Sequence, residues 1–320
     1  MIDLMITTRL TKLLGIKYPL FQGGMAWIAT GKLAGAVSAA GGLGIIGAGS
    51  ADAGWLQKEI EAVRAVTNRP FGVNLMLLSP HIEKIIEVVI KEKVPVVTTG
   101  AGNPGKYMTL LKEAGCKVIP VVASVALARR LSRQGADAVI AEGMEAGGHI
   151  GEITTMCLVP MIVDAVDVPV IAAGGIADGR GAAAAFALGA EGVQMGTRFI
   201  CAEECPAHPD YQEKIIQARD RDTVVCGTST GHPVRVIQNR FSRMYLAKEK
   251  EGWSSEELDR LAVGKYPAAA LHGAVEDGSL LAGQIAGMVN KREPAAAIVE
   301  EVMTEAEQIL KRLGCELCSD

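Results

Sequence analysis

Eight short apolar runs alternate with helix-length segments along the first two thirds of the chain, and few folds accommodate that rhythm. The runs are Pro19 to Gln22, Leu43 to Gly47, Phe71 to Asn74, Val94 to Thr98, Val118 to Val122, Ala138 to Ala141, Val168 to Ala172 and Gly192 to Met195. They are Val/Ile-rich or apolar throughout, as expected of strands covered on both faces of a parallel sheet. Between them lie helical patterns at Ala51 to Thr67, Ile82 to Lys93, Lys106 to Ala114, Ser124 to Gln134 and Arg180 to Leu188, several opened by Ser, Asp or Pro. Eight βα units in succession argue for an α/β protein closed into a (β/α)8 TIM barrel. An open doubly wound sheet is the competing architecture, because periodicity alone does not separate the two.

After Arg198 the rhythm breaks. Residues 201–277 are richer in charge, hold His208-Pro209 and Gly231-His232-Pro233, and read as helical from Val234 to Lys250 with few strand candidates. We expect a smaller, mainly helical inserted subdomain there, serving as a substrate lid, on a barrel made of residues 1–200 and 278–320. An amphipathic pattern around Ile298 to Leu313 is suited to packing back on that barrel. At 320 residues the chain accommodates one barrel of about 250 residues plus such an insertion.

Composition excludes several classes of function. A formal net charge of -4 provides no general attraction to nucleic acid, whose binding surfaces are basic. Seven scattered cysteines make no secreted disulfide framework, and the first ten residues, interrupted by Asp3 and Arg9, carry no secretory pattern. A cytoplasmic protein with reduced thiols is expected. Leu33 to Ser50 is uncharged for long enough to imitate a membrane span, but Gly41-Gly42, Gly44, Gly47 and Gly49 crowd its second half, so it reads as a helix, a turn and a buried strand. Neither the Cys315/Cys318 pair nor Cys201 with Cys205 supplies four converging ligands, and His81, His208, His232 and His272 share no ligand spacing, so no metal site is expected.

In a barrel, chemistry sits at the carboxyl ends of the strands, and phosphates often rest on the loops after strands seven and eight. Strand seven runs into Ala172-Ala173-Gly174-Gly175-Ile176 and strand eight into Gln194-Met195-Gly196-Thr197-Arg198. Glycine lets backbone N–H groups approach an anion, and the Thr197 hydroxyl adds a donor; read singly, each loop is an ordinary tight turn. Gly23-Gly24-Met25 after the first strand leaves room for a planar ring, and Asn74 offers an amide to ring carbonyl and imide edges. A flat heteroaromatic with a phosphate tail fits these positions. The loop after strand six, Glu142-Gly143-Met144-Glu145-Ala146-Gly147-Gly148-His149, places one imidazole where substrates enter; it is suited to proton transfer or, in the plainer reading, to a structural role. Glu142 orients that loop or takes part in chemistry. Arg235, Arg240 and Arg243 fall on one predicted helix, either a basic face for an acidic partner or a solvated surface.

Tyr18-Pro19-Leu20-Phe21-Gln22-Gly23-Gly24-Met25-Ala26-Trp27, Gly72-Val73-Asn74, Thr98 to Pro104, Glu145-Ala146-Gly147-Gly148-His149 and Ala282-Gly283-Gln284-Ile285-Ala286-Gly287 together resemble the FMN-dependent enoyl-acyl-carrier-protein reductases of FabK type. The nitronate monooxygenases, formerly 2-nitropropane dioxygenases, are similar in the same regions. The resemblance implies a flavoprotein oxidoreductase in which His149 is catalytic. It implies cofactor contacts from Gly23, Gly24, Met25, Asn74, Glu142, Gly147, Ala173, Gly174, Gly175, Gln194, Met195, Gly196, Thr197 and Gln284. For the reductase branch it further implies NADH or NADPH as co-substrate, a monovalent cation, an acyl-carrier protein bearing the enoyl thioester, a homodimer and a place in fatty-acid synthesis. Oxidation of alkyl nitronates with oxygen is the alternative activity, and a non-catalytic flavin-binding protein a third reading. A barrel dehydrogenase acting on a purine nucleotide has similar phosphate loops but needs a cysteine after strand six, where this chain has none until Cys157.

Overall fold

The computed structural model describes residues 6–49 and 51–314. Its strands are β1 (Leu20–Gln22), β2 (Leu43–Gly47), β3 (Gly72–Met76), β4 (Val96–Gly100), β5 (Lys117–Val122), β6 (Val139–Glu142), β7 (Gly148–His149), β8 (Val170–Ala173), β9 (Gly192–Met195), β10 (Thr223–Cys226) and β11 (Val234–Ile237). β1 to β6, β8 and β9 are parallel and closed, with Leu20 opposite Val193 and Phe21 opposite Gln194 where the last strand meets the first. The architecture is the (β/α)8 barrel, and each of its strands overlaps one of the eight apolar runs.

Strand alternation sorts the barrel residues between two cores. Phe21, Leu43, Ile45, Val96, Ile119, Ile140 and Ile171 fill the interior, while Leu20, Ile46, Val73, Val97, Val118, Val139, Val170 and Val193 face the helices. The helix Arg9–Leu14, capped by Thr8, adds Leu10 and Leu14 to the inner cluster. A Cβ on Gly192 would lie 2.4 Å from Leu10 Cδ2, so the helix plugs the barrel at the end opposite its carboxyl termini. The crossover helix Thr155–Val163 accommodates an internal Pro160.

The amphipathic segment near the carboxyl end forms the helix Ala295–Arg312, which packs on the helices Gly179–Ala187 and Gly31–Ala40. Gly179 makes that contact close: a Cβ there would sit 2.4 Å from Glu305 Cβ, and its N–H donates to Glu305 Oε2 at 2.7 Å. A buried ion pair between Arg198 and Glu293 fastens the approach to this helix.

After the barrel come the helices Pro209–Ile216, Arg240–Lys250, Ser255–Ala262 and Lys265–His272, with β10 and β11 between the first two. The expected continuous helix from Val234 to Lys250 is therefore corrected. Val234-Arg235-Val236-Ile237 alternates with the period of a strand and follows Pro233, and the helix begins only after Asn239, whose side chain accepts from Ser242 N at 2.8 Å. β11 pairs antiparallel with β10 on one side and with β7 on the other. No helix among the described residues is long and apolar enough to cross a membrane.

Candidate functional site

The same alternation that buries Phe21 and Ile140 inside the barrel brings the next inward positions to its carboxyl mouth. They are Gly23, Gly47, Asn74, Thr98, Val121, Glu142, Ala173 and Gln194, of which Val121 and Ala173 still pack with the inner apolar cluster. This floor is polar where the layers below are not, and small on the β1–β2 side. Thr98 donates to Asn74 Oδ1 at 2.9 Å, which leaves the Asn74 amide nitrogen on the side of Gly24. Gly24 presses against the same residue: a Cβ there would stand 2.3 Å from Asn74 Cβ. Gly23 lies beside Gln194, its would-be Cβ 3.2 Å from Gln194 Cδ. Glu142 has no hydrogen-bonded partner for its carboxylate among the described residues, and burial pushes that group up to about 7. An acid so placed exchanges a proton near neutrality.

Two loops beside this floor present backbone donors. Gly174 and Gly175 adopt left-handed φ values of 88° and 74°, a conformation that glycine takes without strain. The N–H groups of Gly174, Gly175, Gly196 and Thr197 have no protein acceptor among the described residues. A Cβ on Gly196 would meet only Met25 Sδ, at 3.8 Å, so the space in front of that loop is open to a ligand. Thr197 Oγ1 accepts from Gly283 N at 2.9 Å and keeps its own proton to donate. Converging free N–H groups and a glycine cradle suit a phosphate, and the flat glycine and amide floor suits a ring system; FMN is compatible with the residues present.

The loop from β6 to β7 carries His149 on the carboxyl-end side of the barrel. Thr155 N and Oγ1 donate to the Glu145 carboxylate at 2.9–3.0 Å, and Gln284 N donates to Glu145 O at 2.9 Å. A Cβ on Gly147 would lie 2.6 Å from the Ala282 carbonyl carbon, so this loop and the 282–284 segment touch through backbone. His149 pairs with Val234 of β11, and Ile150 N donates to Pro233 O at 3.0 Å. The imidazole is exposed on one side, yet desolvation, and secondarily the like charge of His232, hold it below its ordinary value. It is therefore mostly neutral at pH 7, able to accept a proton or to pass one on.

Gly23, Gly24, Asn74, Glu142, Gly147, Ala173, Gly174, Gly175, Gln194, Gly196 and Thr197 come together around the mouth, Met25 joins them beside Gly196, and His149 stands on the same loop as Gly147, against β11. Met195 does not: its side chain points outward into the helix-facing core, and only its carbonyl, accepting from Gly23 N at 2.9 Å, takes part. Gln284 is exposed and attached through its backbone. The predicted basic face dissolves, since Arg235 is a buried strand residue and Arg240 pairs with Asp277. His208 caps the helix Pro209–Ile216, accepting from Asp210 N at 3.2 Å, whereas His232 lies by His149. Thr98 and Gly47 are floor positions the sequence reading left out, although strand alternation from Val96 and Ile45 was enough to find them. Cys315 and Cys318 lie outside the described residues, and no group of three metal-ligating side chains occurs among those described. A groove of about 420 Å³ lined by Val225, Ser229 and Glu249 shares no residue with the mouth.

Comparison with known proteins places this geometry in context. The family model described as nitronate monooxygenase matches residues 7–85 and 80–305. A probable nitronate monooxygenase of Staphylococcus saprophyticus is 36% identical over 96% of this chain and 99% of its own. A (3aS,4S,5R,7aS)-5-hydroxy-7a-methyl-1-oxo-octahydro-1H-indene-4-carboxyl-CoA dehydrogenase of Rhodococcus jostii is 31% identical over 97% of this chain and 98% of its own. Among solved structures, FabK from Thermotoga maritima superposes with a TM-score of 0.94 at 52% identity, covering 97% of this chain and 99% of that one.

Proposed function

This chain belongs to the nitronate monooxygenase family, and within that family we propose that it is an FMN-dependent enoyl-thioester reductase using NADH or NADPH, with an acyl-carrier protein presenting the substrate. The reading is supported by a polar barrel floor flanked by two loops with free N–H groups, with His149 on the loop after β6, in a chain whose likeness to FabK, at 52% identity, exceeds its likeness to the probable nitronate monooxygenase, at 36%.

In this reading the N–H groups of Gly174, Gly175, Gly196 and Thr197 hold the FMN phosphate, and Gly23, Gly24, Asn74 and Gln194 bed the ring. When bound, FMN supplies hydride transfer between a nicotinamide and an enoyl β-carbon. The chain's own part is positional and protic. Asn74, oriented by Thr98, donates its amide hydrogens to the ring edge. His149, held by β11, delivers or relays the proton required at the substrate α-carbon, or orients the thioester carbonyl. Glu142 adds a carboxyl group that is partly protonated near neutral pH. Residues 201–277 supply the lid, with β10–β11 as its inner wall.

His149→Ala tests the assignment. It should retain FMN and its reduction by NAD(P)H while slowing the enoyl-dependent step by roughly a hundredfold or more. Loss confined to flavin reduction would move His149 to nicotinamide binding. The family name favours nitronate oxidation as the second reading, in which the same His149 would deprotonate a neutral nitroalkane to the nitronate that is then oxidised.

A further inference from the structure

The loop that carries His149 has little reason to hold its shape unaided. Gly143, Gly147 and Gly148 leave the backbone many conformations, and Gly148 is left-handed at a φ of 78°. Barrel elements hold its first half, through Thr155 on the Glu145 carboxylate and Met144 N donating to Ile153 O at 2.9 Å, whereas the half that bears His149 is held from outside the barrel. β11 pairs its first half with Gly148 and His149, and its second half reaches the 280–281 segment, Ile237 N donating to Leu280 O at 2.8 Å. At the centre of that strand, opposite Gly148, stands Arg235, only 4% exposed.

Arg235 forms no ion pair among the described residues. Its Nε donates to Met144 O, near the start of the His149 loop, at 3.1 Å, and its Nη1 contacts Thr223 Oγ1 of β10 at 3.4 Å. Burial draws the guanidinium below its ordinary value, opposed by the charge of Glu145 in the same loop. Burying a cation without a bonded carboxylate is costly, and an apolar side chain of similar volume would fill this strand position more cheaply. The return is geometric: one rigid planar fork joins β10 to Met144 while its own backbone holds Gly148.

We propose that Arg235 is a positioning residue for His149, clamping the loop 144–150 from the inserted hairpin so that the imidazole is held over the barrel mouth. It touches neither the reacting atoms nor the phosphate loops. Through it the segment after the barrel, which shares no strand with the barrel sheet, sets the geometry of the proton-handling group. Only the rate measurement below rests on the reductase reading.

Arg235→Met in the full chain, with Arg235→Lys as the conservative companion, tests the clamp. The His149 imidazole proton is followed by NMR across pH 5–8, assigned from its loss in His149→Gln. A released loop hydrates the ring, so His149 in Arg235→Met should titrate higher, toward its ordinary value, and the peptide 143–152 should exchange its amide hydrogens faster. Arg235→Lys, whose single ammonium cannot make both contacts, should show part of the same displacement; if the Met variant does not fold, the Lys variant carries the test. In the enzyme assay, FMN content and reduction by NAD(P)H should stay within twofold of the parent while the enoyl-dependent step slows roughly tenfold or more, the scale of a lost alignment. A folded variant whose His149 titration and loop exchange match the parent overturns the proposal whatever the substrate proves to be. A displaced titration without enoyl turnover even in the parent keeps the clamp and rejects the reductase.

Discussion

Replacing Glu142 by Gln removes one ionisable group from the barrel floor and should change how stability depends on pH. The parent carboxyl is held up to about 7 by burial, against an ordinary 4.5. Between those two values the folded chain binds more protons than the unfolded one, so stability that is fully present below pH 4.5 is lost as pH rises toward 7. The full difference corresponds to roughly 3 kcal/mol at about 1.36 kcal/mol per pH unit, and water entering the mouth reduces it to about 1–3 kcal/mol. With an unfolding entropy of about 2.1 cal/mol/K per residue, a chain of 320 residues should convert this into a melting-temperature difference of roughly 2–4 °C. Thermal unfolding of flavin-free parent and Glu142→Gln at pH 4.5 and pH 8 measures it. The parent should lose about that much more than the variant over the interval. Parallel losses would mean that the carboxyl is as well hydrated as in an unfolded chain, and the inward placement of Glu142 would be refuted.

Gly196→Val should abolish or strongly weaken FMN retention while leaving the melting temperature of the apoprotein nearly unchanged, because the new Cβ meets only Met25 Sδ, at 3.8 Å, and the branch extends into the space before the free N–H groups; yellow protein with full flavin content would reject the phosphate assignment. Gly24→Ala should act on the fold as well, since its Cβ would overlap Asn74, costing about 1–3 kcal/mol, and a melting curve identical to the parent would contradict the packing of that loop. Thr98→Val removes the hydroxyl that orients Asn74 and should weaken flavin binding roughly tenfold, the scale of one lost hydrogen bond, as read by fluorescence titration.

The barrel was legible because its signal is local. A parallel strand buried on both sides writes itself as a continuous apolar run, and all eight runs became strands within a few residues. The glycine loops after β8 and β9 were legible for the same reason, as was His149 at the end of a pliable loop. What stayed hidden was non-local. Nothing near Val234 announces that it will pair with His149, some eighty-five residues earlier, so a strand bounded by Pro233 and Asn239 was merged into the helix that follows. That merger turned Arg235 from a buried clamp into one member of a supposed basic stripe. Met195 stands among the contacts that the resemblance implies, whereas strand parity from Gln194 sends its side chain to the opposite face. Parity also points to Thr98, whose hydroxyl fixes the Asn74 amide.

The proposed activity turns on where electrons enter and leave the flavin, and a single anaerobic stopped-flow experiment addresses it. Purified protein reduced by a slight excess of NADH or NADPH is mixed with crotonyl thioester, and in a parallel run the oxidised protein is mixed with propyl-2-nitronate and then with oxygen. An enoyl-thioester reductase should show rapid flavin reoxidation by the thioester without oxygen, with a saturated thioester as product, and little reduction by the nitronate. Rapid reduction by the nitronate with oxygen uptake, and no reoxidation by the thioester, would contradict it and assign the site to nitronate oxidation.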